Sequence, residues 1–152
     1  TGVPILDDAR GKIILFRRFD KPSSVSENMG IDVSKGWSDN NPRFEIPISD
    51  ADVSIIIQDK YDVKTADEKF GYVETMLEEA VAGGKKDFYL NFASGYTRIF
   101  STDLPNIRNV SNVVNDKLAE YFGKHPKGRF GAVMMDFVEN NVIQDIIKSN
   151  MA

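Results

Sequence analysis

Four short apolar runs, each closed by a polar or charged residue, organise this chain. Ile13, Ile14, Leu15 and Phe16 lead to Arg18. Ile55, Ile56 and Ile57 lead to Asp59, residues 88–92 lead to Ser94, and Val133, Met134 and Met135 lead to Asp136. These closing residues lie between 35 and 42 positions apart, about the reach of a strand, a crossover and a helix. The spacing predicts parallel strands whose ends share one crevice, where polar residues usually carry chemistry. The strand predicted at 53–59 is apolar on both faces apart from Ser54, as suits a parallel strand covered on both sides.

Between the runs the period changes from two to about 3.6. Thr65 and Glu68 form a capping-box pattern, in which a hydroxyl meets the amide three residues on and the Glu reaches back. The helix it opens runs to about residue 82, with Phe70, Val73, Leu77, Ala80 and Val81 along one stripe. Gly83 and Gly84 stop it, since glycine accepts the left-handed conformation. A second helix is predicted over 108–122, ended by Gly123, and a last one over 139–149. Residues 20–50 form a long polar segment with Pro22, Gly30, Gly36 and Pro42. A structureless stretch beyond ~12–15 residues is uncommon in a compact domain and is often functional. Within it, Phe44, Ile46 and Ile48 alternate, so part of the segment is extended. A complete (β/α)8 barrel needs about 250 residues. This chain has 152, so the expectation is α/β, half of a TIM barrel in one domain over 1–152. About four parallel strands with crossover helices would make up that half.

Composition narrows the function classes. Hydrophobic residues make up 41% and charged residues 28%, near globular averages, which argues against disorder. A net charge of −4 argues against a nucleic-acid groove. The absence of cysteine excludes disulfides and thiolate metal sites, and leaves a cytosolic or a secreted home open. No apolar run has the length of a membrane span, and Thr1-Gly2-Val3-Pro4 lacks the basic start and apolar core of a signal peptide.

The chemistry-bearing candidates are Arg18, Asp59 and Asp136. A guanidinium donates in a fixed fork and carboxylates accept from hydroxyls, so an arginine facing carboxylates suits a polyhydroxylated or phosphorylated ligand. The plain alternative is three strand-end charges in solvated ion pairs. Tyr61 either stacks on an apolar sugar-ring face or packs at the rim. Of Arg17 and Arg18, strand alternation points one inward and the other outward, without saying which. His125, the only histidine, lies in a turn at the opposite end of its strand from Asp136 and reads as a solvated loop residue. With one histidine and no cysteine, no zinc site is expected. No EF-hand, Walker or GxGxxG pattern is present, so no metal or cofactor is expected. Trp37 and Phe44 flank a polar stretch and read either as a lipid-touching rim or, the favoured reading, as a mini-core under the long loop.

The blocks RGKIILFRRF at 10–19, WSDN at 37–40, IQDKY at 57–61, YLNFAS at 89–94 and VMMDF at 133–137 together resemble the C-terminal half of bacterial phosphatidylinositol-specific phospholipase C. The blocks keep that family's order and span nearly the whole chain. The resemblance implies an irregular TIM barrel that cleaves phosphatidylinositol without a metal, giving diacylglycerol and a cyclic inositol phosphate. It implies that Arg18 and Asp59 hydrogen-bond inositol hydroxyls and that Tyr61 stacks on the ring. It further implies that Asp136 is the catalytic carboxylate paired with an acid histidine. In the family the two catalytic histidines belong to the N-terminal half, and His125 matches neither. The expected partners are therefore phosphatidylinositol or an inositol phosphate and an N-terminal half-barrel, as a segment or a second chain. A secreted bacterial protein with peripheral membrane contact is implied. Alone, the chain is expected to be inactive. The alternatives are a catalytically silent inositol- or carbohydrate-binding relative and a structural α/β domain.

Overall fold

The computed structural model describes residues 3–25, 29–48, 52–83, 86–99 and 104–151. The chain opens with helix α1 (Leu6–Ala9) and two short strands, β1 (Phe16–Arg17) and β2 (Ile31–Asp32). Strands β3 (Phe44–Pro47) and β4 (Ser54–Gln58) lead into helix α2 (Ala66–Ala82), then β5 (Phe88–Phe92). A small hairpin, β6 (Thr97–Arg98) and β7 (Pro105–Asn106), precedes helix α3 (Ile107–Lys124). Strand β8 (Ala132–Met134) and helix α4 (Asn140–Ser149) complete it.

The result is mixed α/β. One sheet runs β3-β4-β5-β8. Strands β4, β5 and β8 are parallel, and β3 is antiparallel to β4. Four parallel strands were expected, and the sheet differs for two reasons. The run at 12–18 keeps only Phe16 and Arg17 in a strand, which pairs with β2 in a separate two-stranded ladder. Its place is taken by β3, joined to β4 through residues 48–53 alone. That link is too short for a crossover, so the pair can only be antiparallel.

Alternation sorts the two sheet faces. Ile56 and Tyr89 meet Met76 and Ala80 of α2. On the same side Val73, Leu77, Val110, Val114, Leu118, Phe122 and Val142 pack the three long helices together. Ile55, Ile57 and Leu90 face the other way, into a second cluster with Ile31, Val33, Ile46 and Ile48. Trp37, Phe44, Phe88, Phe92, Ala132 and Met134 pack against that cluster. Gly131 is required where β8 joins β5. Its φ is +74°, and a Cβ there would lie 2.2 Å from the Tyr89 carbonyl oxygen.

The helix ends depart in detail from expectation. Thr65 Oγ1 accepts from the Glu68 amide at 3.0 Å, but the Glu68 carboxylate accepts from the Lys64 amide at 2.8 Å, one residue beyond the box geometry. Gly83 is extended rather than left-handed, with φ −73° and ψ 170°, and its amide returns to Glu79 O. Gly84 lies outside the described residues. Helix α3 passes through Gly123 and ends at Lys124 with His125 as its cap. Val81, assigned to the buried stripe, is exposed.

Candidate functional site

The segment 37–41 crosses the C-terminal end of β4 and gathers three of the four expected site residues. Trp37 comes first. Its ring meets Phe44 and Phe92 edge-on, with centroids 5.6 and 6.0 Å away. This seats the indole on the second core cluster and aims Nε1 at the strand end, where it donates to Asp59 Oδ2 at 3.0 Å. The Arg18 guanidinium lies over the same indole, 4.5 Å from the ring centroid. Asp39, two residues on, has one carboxylate oxygen 4.0 Å from Arg18 Nη2 and the other accepting from the Tyr61 hydroxyl at 2.8 Å. That hydrogen bond is the main reason the Tyr61 phenol is pushed above its ordinary value.

The backbone of the strand end is fixed by the same segment. Asn40 sits in the left-handed region, φ 49°, which asparagine tolerates better than most residues. Its Oδ1 accepts from the amides of Tyr61 and Asp62 at 3.1 and 3.0 Å. Asn41 O accepts from the Asp59 amide at 3.0 Å. Beyond it, the Tyr96 amide donates to Tyr61 O at 2.8 Å. This approach needs Gly95, where a Cβ would stand 2.9 Å from that oxygen. Asp59 is 7% exposed, whereas the Arg18 side chain is 54% exposed, so the cluster has a buried acceptor and an open, cationic lip.

The neighbouring arginines are now resolved. Arg17 is buried, paired with Asp32 and donating to Phe19 O. Asp32 is held down at about 2, chiefly by the Ser34 hydroxyl and amide and then by Arg17. Arg18 is the one that reaches Trp37 and Asp39.

Asp136 follows β8 at the same end of the sheet, since Gln58 is in register with Asn91 and Phe92 with Met134. Asn115 Nδ2 of α3 donates to Asp136 O and Phe137 O, at 3.0 and 3.2 Å, and sets this turn. Phe137 is left-handed, φ 50°, with the Arg108 guanidinium 3.7 Å from its ring centroid. Among the described residues, no hydrogen bond joins Asp136 to the Arg18, Asp59 and Tyr61 cluster. The structure thus brings three expected residues together and leaves the fourth beside them. His125 lies elsewhere, its ring stacked 4.3 Å from that of Tyr121 at the far end of α3.

Sequence reasoning missed two parts of this arrangement. Trp37 and Phe44 do pack together, as the favoured reading expected, but against the second core cluster, and Trp37 is also the hub that orients Asp59 and carries Arg18. The missed signal was Ser38-Asp39-Asn40-Asn41 directly after an aromatic, a run suited to tight turns and side-chain acceptors. Lys69 was also overlooked. It lies on the buried stripe of α2 with no exposed surface. Its Nζ donates to Gln58 Oε1 at 3.0 Å and to Lys60 O at 2.6 Å.

Chemically the cluster offers carboxylate acceptors, a guanidinium donor and an aromatic wall, the set that grips a polyol. Among the described residues, no three His, Cys, Asp or Glu side chains converge to hold a metal ion, and no described helix is long and apolar enough to cross a membrane.

Comparison with known proteins agrees with the resemblance seen in the sequence. No family model matches the chain. It is 29% identical over 158 positions to a 1-phosphatidylinositol phosphodiesterase of Staphylococcus aureus strain Newman, covering 97% of this chain and 48% of that protein. The chain therefore spans about half the length of the curated relatives it matches. In fold it is similar to a variant of the phosphatidylinositol-specific phospholipase C of S. aureus, with TM-score 0.64 and 24% identity over 74% of this chain and 38% of that one. The Listeria monocytogenes phosphatidylinositol-specific phospholipase C is similar at TM-score 0.55 and 24% identity, over 63% of this chain and 34% of that one.

Proposed function

We propose that this chain is the inositol-binding half of a metal-independent phosphatidylinositol-specific phospholipase C, one half of an irregular TIM barrel. The observation that carries the reading is the convergence of Arg18, Asp59 and Tyr61 on Trp37 and Asp39 at a single strand end. In this reading Asp59 accepts from ring hydroxyls and Arg18 donates to them, while the Tyr61 face covers the apolar side of the ring. The raised Tyr61 phenol stays protonated throughout the neutral range, so it adds no charge to the polyol site.

The chemical step is acid–base cleavage of a phosphodiester. A base takes the proton of the inositol 2-hydroxyl, whose oxygen attacks phosphorus, and an acid protonates the departing diacylglycerol oxygen. Both groups would be histidines of an N-terminal half. Asp136 would orient the acid histidine and stabilise its charged form, as a carboxylate does for an imidazole. Exposed Ile99, Leu104, Ile107, Phe137 and Val138 cluster around the hairpin and the turn after β8, a rim suited to peripheral contact with lipid. Membrane binding is named for one of the S. aureus structures of similar fold.

The test is a titration of the chain with myo-inositol, followed by heteronuclear NMR, with glycerol as the control polyol. Saturable shifts at Trp37 and Tyr61, lost in Asp59→Ala, are expected. The chain is then mixed with the N-terminal half of the S. aureus relative and phosphatidylinositol vesicles. Cyclic inositol phosphate should appear by phosphorus NMR, and Asp136→Asn should suppress it. Absence of inositol shifts, together with no turnover on reconstitution, would sink the reading.

A further inference from the structure

A lysine on the apolar stripe of a helix needs a reason to stay. Lys69 is the largest fully buried side chain among the described residues. It sits one turn into α2, flanked on its stripe by Ala66, Phe70 and Val73, where an aliphatic residue would pack without desolvating a charge. Its two acceptors explain the choice. Gln58 Oε1 and Lys60 O bracket Asp59 in the chain.

The surrounding polar groups form a closed set. Gln58 Oε1 also accepts from the Lys60 amide at 2.7 Å. Gln58 Nε2 donates to Asn91 Oδ1 and Phe92 O, at 2.9 and 2.8 Å. Asn91 Nδ2 in turn donates to Val73 O of α2 at 2.9 Å. Gln58 and Asn91 have no exposed surface. The ends of β4 and β5 are therefore tied to α2 behind the sheet, while Trp37 and Asn40 tie the front of the same strand end. Residues 58–60 are gripped on both sides, and the Asp59 carboxylate between them is held toward the Trp37 indole.

Resting on the function proposed above, we propose that Lys69 is a positioning residue for the polyol site: from behind the sheet it fixes the strand end that presents Asp59 and Tyr61. The charged groups facing it are Asp59 and Lys60 at the end of β4 and Asp136 after β8. Burial holds the ammonium down at about 7, opposed in part by the two carboxylates. The grip is thus strongest below neutrality, when the ammonium is intact, and loosens as the proton leaves.

The chain supplies its own reporter, because Trp37 is its one tryptophan and its indole N–H donates to Asp59. The experiment records that indole resonance in the wild-type chain and in Lys69→Met, with thermal unfolding and myo-inositol affinity alongside. Methionine fills a similar volume without a charge, so the core stays filled, and the melting curve checks that the variant folds. The indole resonance should nevertheless move, and inositol should bind about tenfold more weakly. An unmoved indole with unchanged affinity overturns the proposal. Should wild type bind no inositol, the function fails, and the ligand-free indole signal alone decides the role of Lys69. Should Lys69→Met not fold, a His125→Gln chain that keeps Lys69 is titrated from pH 5.5 to 9. An indole transition near pH 7 supports the proposal, and a flat response overturns it.

Discussion

Asp59 is a carboxylate set among apolar strand ends, and it is held there by a single indole N–H from the side and by tethered neighbours along the chain. Replacing Trp37 with Phe keeps an aromatic edge against Phe44 and Phe92 while deleting that donor. The expected cost is about 1–3 kcal/mol, the penalty for leaving a buried charged acceptor one partner short, measured by urea unfolding. Inositol affinity should fall with it, whereas a purely packing role for Trp37 predicts lost stability with affinity unchanged. Lys69 gives the residue scale its pH dependence. Its folded value of about 7 lies below the ordinary 10.5. Between these values the unfolded chain holds a proton that the folded chain has released, so unfolding takes up a proton and stability rises with pH. Relative to Lys69→Met, wild type should gain up to about 1.4 kcal/mol per pH unit from pH 7 to 9.5. Denaturant unfolding at several pH values, compared between the two chains, checks the slope. A parallel pair of curves would remove Lys69 as the source.

At the scale of elements, the segment 37–41 does what a strand cannot: it turns sharply enough to bring an aromatic, a carboxylate and two amides to one strand end. Asn40 is the pivot, combining a left-handed backbone with two accepted hydrogen bonds. Two substitutions separate these contributions. Asn40→Gly keeps the conformation and loses the side-chain oxygen, at about 1 kcal/mol or more. Asn40→Ala loses the oxygen and also strains the backbone by a further ~1 kcal/mol. Equal midpoints for the two variants in urea would show that the left-handed turn is not what fixes the segment. This element also marks where sequence reading stopped. Apolar periodicity located α2, α3, α4, β4, β5 and β8 to within a few residues, because burial writes itself into every second or every third and fourth position. It could not show that β1 would shorten or that β3 would run antiparallel, since pairing partners are not encoded by period. The strand-end rule picked out Arg18, Asp59 and Asp136 as candidates, and the structure brings the first two together on Trp37. The rule could not find Trp37 or Asn40, whose roles depend on where a loop folds back, nor Lys69, whose burial contradicts the ordinary meaning of a lysine.

At the scale of the molecule, the sheet ends in two outer strands. Strand β3 is antiparallel and joined by a short turn, a natural terminus for a parallel array. Strand β8 is parallel to β5, and among the described strands β5 is its only neighbour. The outer ladder groups of β8 have no partner among the described strands, and an uncovered edge favours nonspecific association. Covering that edge should stabilise this chain specifically. On mixing with the N-terminal half of the S. aureus relative, hydrogen exchange at Val133 should slow and the melting temperature should rise with partner concentration, as for any ligand of the folded state. Replacing Val133 with Pro, which takes a backbone donor from β8, should weaken the pairing more than it lowers stability alone. Protection that appears equally with an unrelated parallel-sheet protein would point to edge stickiness instead. Protection confined to the matching half, accompanied by cyclic inositol phosphate formation, would tie the completed barrel to the polyol site proposed at Arg18, Asp59 and Tyr61.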